Sequence, residues 1–212
     1  MKFSRTVYSF GFQESEKAFD QIVSSDVFHD EFHRPWENNM MRVSDDFFNT
    51  WLSWVQPVVR GINSPAFKHK YPTAGSSEGV REVINSAIRA KQSIVILEGE
   101  YEGYAAYCNA AEGNLIVLAR NQYEQQIKNL PENFLFVVSN PNSLDGNVLG
   151  SAAEIIDLLN VLKPAAQVLV DLTYVGTVHH VNYQIDLTSP NIQYVCFSLS
   201  KPFGVYYHRI GG

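Results

Sequence analysis

Cysteine is nearly absent. Only Cys108 and Cys196 occur among 212 residues, each in an apolar or helical stretch, so they read as small buried hydrophobes and not as a disulfide framework. Their scarcity favours a reducing compartment. Excess positive charge is also lacking: the net charge of −6 argues against a broad surface for nucleic acid or anionic membrane, and neither is expected as a partner. No apolar run approaches the roughly 18 residues of a membrane span, and Met1 to Phe12 has no long apolar core or small-residue cleavage site. The expected location is the cytoplasm. Internal repeats, low-complexity tracts, a dinucleotide fingerprint, a P-loop and a serine triad are all missing.

What is present is apolar and aromatic, 45% and 13% of the chain, enough to bury one sizeable core. The character changes near Pro65, which divides an N-terminal helical segment or arm (1–65) from a larger domain (66–212). In the first part, SDDFFNTWLSWVQPVV predicts an amphipathic helix: Ser44 or Asp45 would cap it, and Phe47, Phe48, Trp51, Leu52 and Val55 recur at helical spacing. Pro57 should end or kink it.

From Ala66 onward helix and strand patterns alternate. Helices are predicted over Glu78 to Ala90, Tyr104 to Ala111 and Ser151 to Leu162. Strands are predicted over Ser93 to Leu97, Asn114 to Ala119, Phe134 to Ser139, Gln167 to Asp171 and Gln193 to Phe197. Short, wholly apolar strands between helices require a sheet covered on both faces, hence an α/β domain.

Such sheets bind ligands beyond the carboxyl ends of their strands. Asp171 ends one strand, with Tyr174 three residues on. Ser198, Ser200 and Lys201 follow another. NPNSLDG follows Ser139, EGEYEGY follows Leu97, and AGSSEG opens the helix at Glu78, where free amides and the helix dipole suit a phosphate.

In this order the set resembles the fold-type I pyridoxal-phosphate enzymes, the aspartate aminotransferase superfamily, from about Tyr71 to Arg209. SLSKPFGVYYHR looks like that family's serine, lysine and arginine signature. DLTY is similar to its aspartate and tyrosine pair, and GSSEGVREVINSAIRAKQSIVILEGEYEGY to its phosphate-cup glycine, helix, strand and aromatic turn.

The resemblance implies a three-layer α/β/α large domain with a mostly parallel sheet, and pyridoxal 5'-phosphate as cofactor. Lys201 would form the Schiff base, which needs an amine able to lose its proton near neutral pH. Asp171 would keep the ring nitrogen protonated. Arg209, Ser198 and the amides and hydroxyls of Ser76 and Ser77, beside the cup glycine Gly75, would hold the phosphate. Tyr174 would hydrogen-bond the ring's phenolic oxygen, and Tyr101 would stack on its face.

Two features depart from the family pattern. NPNSLDG puts Ser143 where the family usually has an asparagine, leaving Asn142 as the candidate contact. The chain ends at Gly212, so a truncated or reduced protein without the C-terminal small domain is expected.

The implied activity is amino-group transfer between an amino acid and a 2-oxo acid. The alternatives are another pyridoxal-phosphate reaction, such as decarboxylation or elimination, and a non-catalytic cofactor-binding fragment. The resemblance also implies a homodimer, with Tyr71 offered to the partner's phosphate. HDEFH, His29 to His33, reads as a solvated helix or loop in preference to a metal site, and His179 and His180 as loop residues.

Overall fold

The computed structural model describes residues 11–33, 36–144, 150–177 and 183–212; side chains of 31–33, 36–44, 150 and 151 are also left aside. Three helices come first, α1 (Gln13–Val23), α2 (Asp26–His33) and α3 (Trp36–Val55), followed by a two-residue strand β1 (Val59–Arg60). Then come α4 (Ser76–Arg89), β2 (Ser93–Leu97), α5 (Glu102–Ala110), β3 (Leu115–Leu118), α6 (Tyr123–Lys128) and β4 (Phe134–Ser139). The chain continues through α7 (Gly150–Leu162), β5 (Gln167–Asp171), β6 (Ile185–Asp186) and β7 (Ile192–Cys196).

Five strands form the main sheet in the order β3-β2-β4-β5-β7, each pair parallel. Side chains alternate between its faces. Ile94, Ile96, Leu135, Val137 and Leu169 pack under α4 and α5 with Val80, Ile84, Tyr104 and Cys108. Val95, Leu97, Phe134, Phe136, Val138, Val168 and Val170 face α6, α7 and the end of α3 through Ile127, Ile155, Leu159, Trp51 and Val55. This is the expected three-layer arrangement, and period-two alternation in wholly apolar strands is its cause.

Phe48, Trp51, Val55, Val59 and Ile62 belong to the second core cluster, and β1 pairs with β6 in parallel. The end of the N-terminal segment is therefore packed into the sheet domain. Helix α3 starts eight residues before Ser44, so Ser44 and Asp45 lie inside it and not at its N-terminus. The exposed positions of Asp45 and Asp46 explain why these polar residues are tolerated there. The helix ends two residues before Pro57, as expected. Among the described residues no helix is long and apolar enough to cross a membrane.

Candidate functional site

Strand β2 has β3 on one side and β4 on the other, so the chain reverses its winding between β2 and β4. The carboxyl ends of these strands flank a crevice at that point. A cavity of about 740 Å³ lies there, and Ser76, Ser77, Tyr101, Asp171, Tyr174, Ser198, Lys201 and Arg209 line it. Eight of the ten site residues predicted from sequence thus meet in one place.

Gly75 is adjacent to the same cavity. It caps α4 at φ 79°, a left-handed conformation that favours glycine, and supplies no side chain to the first-turn amides. A Cβ built there would sit 3.4 Å from Ser198 Oγ and 3.5 Å from an Arg209 guanidinium nitrogen. Helix N-terminus, hydroxyl and guanidinium therefore converge around a space bounded by donors, suited to a phosphate dianion. The return of the chain to this point passes Gly204 (φ 67°) and places Arg209 itself at φ 50°. Gly211 then bridges both Thr73 and Ser198.

Asp171 is buried at the end of β5. Its Oδ2 accepts from the Tyr104 hydroxyl at 2.8 Å, and its Oδ1 accepts from the Thr173 amide at 2.9 Å and the Thr173 hydroxyl at 2.6 Å. Because that hydroxyl's proton is spent on Asp171, Ser76 Oγ, 2.5 Å away, donates to Thr173. Burial raises the Asp171 pKa, and the Thr173 and Tyr104 hydrogen bonds oppose the rise. Burial, then the neighbouring Asp171, raises Tyr104 well above the ordinary phenol range and raises Tyr174 as well. Tyr104 and Thr173 are site residues that sequence reading passed over. Tyr104 is revealed only by the fold, which brings α5 over the end of β5, whereas Thr173 stands within the DLTY motif itself.

Lys201 is held below the ordinary lysine pKa by burial and by the Arg209 charge. Tyr206 lies between the two cations, its ring centroid 5.7 Å from Lys201 Nζ and 5.7 Å from Arg209 Cζ. Tyr101, 40% exposed, lines the cavity with its ring perpendicular to that of Tyr104, 5.5 Å between centroids.

Asn142 is not among the cavity's lining residues. It is fully buried, and its amide nitrogen donates to Glu100 Oε1 at 3.0 Å while Oδ1 accepts from the Leu144 amide at 2.9 Å. Ser143 lines the cavity instead, with a buried hydroxyl that has no hydrogen-bond partner. A buried orphan donor beside a ligand cavity is a position for a ligand acceptor. Tyr71 is 70% exposed and outside the lining. His33, His179 and His180 lie outside the described side chains, and among the described residues no group of three or more His, Cys, Asp or Glu could hold a metal.

The aminotransferase class I and II profile matches residues 61–212. The chain belongs to that family. The family's cofactor is pyridoxal 5'-phosphate, and the donors gathered here fit it: a phosphate cup, an acidic group for the ring nitrogen, a lysine and an orphan hydroxyl.

Solved structures with the same fold include an aromatic amino acid aminotransferase from Burkholderia cenocepacia J2315, at 16% identity and TM-score 0.59, covering 75% of this chain and 46% of that one. The PLP-bound C-S lyase from Staphylococcus hominis matches at 15% identity and TM-score 0.64, over 78% and 45%. L-threonine-O-3-phosphate decarboxylase from Porphyromonas gingivalis matches at 23% and 0.52, over 66% and 42%. This chain spans a little under half the length of each. No curated protein matches the sequence.

Glu100 was not singled out by the family pattern, yet it lines the same cavity. Burial raises its pKa from 4.5 to about 7, with Asp171 adding to the rise and the Ser139 hydrogen bonds and Arg120 opposing it. The folded state therefore holds this proton more tightly than the unfolded chain does. Its contribution is fully present below 4.5 and is lost as pH rises through 7. Glu100→Gln, which does not titrate, is expected to gain up to about 3 kcal/mol relative to the native chain across that window. Urea unfolding of both proteins on either side of the window checks this; parallel pH profiles would contradict it.

Proposed function

We propose that this chain carries the cofactor-binding part of a pyridoxal-phosphate-dependent aminotransferase that moves an amino group between an amino acid and a 2-oxo acid. The observation that carries the reading is the meeting of Lys201, Asp171 and Arg209 on one cavity at the winding reversal of the sheet. When bound, pyridoxal phosphate supplies an electron sink for charge developing at the substrate's α-carbon.

Each residue then has a physical task. Arg209, Ser198 and the first-turn amides of α4 would neutralise and fix the phosphate. Asp171, oriented by Tyr104 and Thr173, would accept the ring nitrogen's proton in a hydrogen bond and favour its cationic form. Tyr174 and Ser143 are the hydroxyls available for the ring's phenolic oxygen, and Tyr101 offers an aromatic face. Lys201, its amine more easily neutral because of burial and Arg209, is suited to remove the proton from the substrate's α-carbon. Two copies of the chain sharing the site, as the family resemblance implies, belong to the same proposal.

The test begins with the purified chain and added pyridoxal phosphate. A visible band removed by borohydride, with the label on the peptide containing Lys201, is expected. An amino donor should then bleach the band and a 2-oxo acid restore it. Label scattered over other lysines would remove the proposal. A band that persists, or recovers without any 2-oxo acid, while the amino donor is consumed would favour an elimination or decarboxylation, as in the lyase and decarboxylase relatives. Arg209→Ala is expected to weaken cofactor binding by roughly ten- to a hundredfold, because a charge-assisted pair is lost. Arg209→Lys should recover only part of it, since an ammonium cannot reproduce the planar fork. Equilibrium dialysis measures both.

A further inference from the structure

The turns after β2 and β4 are interlocked. Gly99 lies at φ 81°, and a Cβ added there would come within 2.8 Å of Leu144 Cδ2, so the first turn leaves a seat for a side chain of the second. One residue on, Glu100 crosses the same gap. Its Oε2 accepts from the Ser139 hydroxyl and from the Ser139 amide at 3.2 Å, and its Oε1 accepts from Asn142 Nδ2 at 3.0 Å.

Those two partners hold the rest of the turn. Ser139 Oγ accepts from the Ser143 amide at 3.0 Å, and Asn142 Oδ1 accepts from the Leu144 amide at 2.9 Å. Ser143 Oγ, the orphan at the cavity, is thus suspended from a network whose common acceptor is one carboxyl group. Only a carboxylate offers two oxygens that accept from three donors without bringing a donor of its own.

We propose that Glu100 is a positioning residue: it ties the turn after β4 to the turn after β2 and thereby fixes Ser143, with its buried hydroxyl, at the wall of the cavity. What that hydroxyl would contact rests on the pyridoxal-phosphate reading; the tie itself does not. Glu100 also explains the burial of Asn142, whose amide is used to complete the tie and is turned away from the cavity.

Amide hydrogen exchange on the cofactor-free chain tests the tie directly. In Glu100→Ala, exchange at Ser143 and Leu144 is expected to accelerate by roughly tenfold or more while the amides of β5 keep their protection. Glu100→Gln, whose amide oxygen can still accept from Ser139, should stay closer to the native chain. Asn142→Ala cuts the branch from Glu100 to the Leu144 amide and Ser139→Ala the branch to the Ser143 amide, so each must loosen its own amide even if Glu100→Ala fails to fold. Unchanged exchange at Ser143 and Leu144 in these variants would overturn the proposal.

Cofactor affinity gives the second arm. If Glu100 acts through Ser143, the double variant Glu100→Ala/Ser143→Ala should bind pyridoxal phosphate about as well as Ser143→Ala alone. Fully additive losses would mean another route and would also overturn it. A native chain that binds no pyridoxal phosphate would sink the proposed function, while the exchange data would still decide the role of Glu100.

Discussion

Replacing Asp171 by alanine is expected to weaken pyridoxal-phosphate binding by roughly one to two orders of magnitude and to destabilise the cofactor-free chain too. Two separate losses are involved, one of affinity and one of stability. The first is the charge-assisted bond that a carboxylate can make with a protonated ring nitrogen, worth about 1.5–3 kcal/mol. The second is local: the Tyr104 hydroxyl is buried and donates to Asp171, so removal of the acceptor strands it at a cost of about 1–3 kcal/mol. Asp171→Asn separates the two, because its amide oxygen can still receive the Tyr104 proton but carries no charge. Its amide nitrogen then faces the Thr173 amide and hydroxyl that had donated to the other oxygen, so it should restore only part of the stability and little of the affinity. Fluorescence titration with the cofactor and urea unfolding give the two numbers. An alanine variant that binds as the native chain does would remove Asp171 from the site.

The second large effect is structural. Phe197 is 2% exposed and stacks on Trp51 at 3.7 Å between ring centroids, with Phe47 and Phe48 against it at 5.9 and 6.0 Å. Phe197→Ala is expected to cost about 3–5 kcal/mol, the transfer free energy of the ring plus an aromatic cavity that its neighbours cannot close. Val161→Ala, at a side chain 77% exposed, should change stability by no more than about 0.5 kcal/mol. Denaturant midpoints of the two variants decide it, and equal midpoints would refute the importance given to this cluster. Because Ser198 follows Phe197 directly, the first variant should also loosen the residues leading to Lys201 and lower cofactor affinity.

Much of this architecture was readable from local pattern. Wholly apolar stretches such as Ile94 to Leu97 and Leu135 to Val138 admit few environments other than a sheet covered on both sides, and they lie in β2 and β4. The predicted strand at Gln193 is found one residue earlier, over Ile192–Cys196, because Ile192 pairs with Val168 at one end while at the other Phe197 exchanges its backbone hydrogen bonds with Gly212. The two-residue pair β1 and β6 has no local signature, since its partners are far apart in sequence. The same reason hides the support of the site. Lys201, Asp171 and Arg209 stand in recognisable motifs, and Thr173 and Tyr206 lie inside the same motifs, whereas Tyr104 and Glu100 acquire their roles only from strands and turns that other residues bring beside them. Ser44 and Asp45 show the opposite error: a capping pattern is local, but here the helix continues through it.

Helix α3 stands behind two parts of the site at once. Trp51 lies on Phe197, next to the Lys201 segment, while Trp54 lies against Gly176, beyond Tyr174, and meets Phe203 at 4.8 Å. These contacts join positions separated by most of the chain, so they carry a large loop-closure entropy. During synthesis the apolar side of α3 emerges long before Phe197 exists to cover it. The helix is therefore a place where chaperones and proteases can find the unfinished chain, and its docking is a late event that leaves assembly of the cofactor cavity among the last steps of folding.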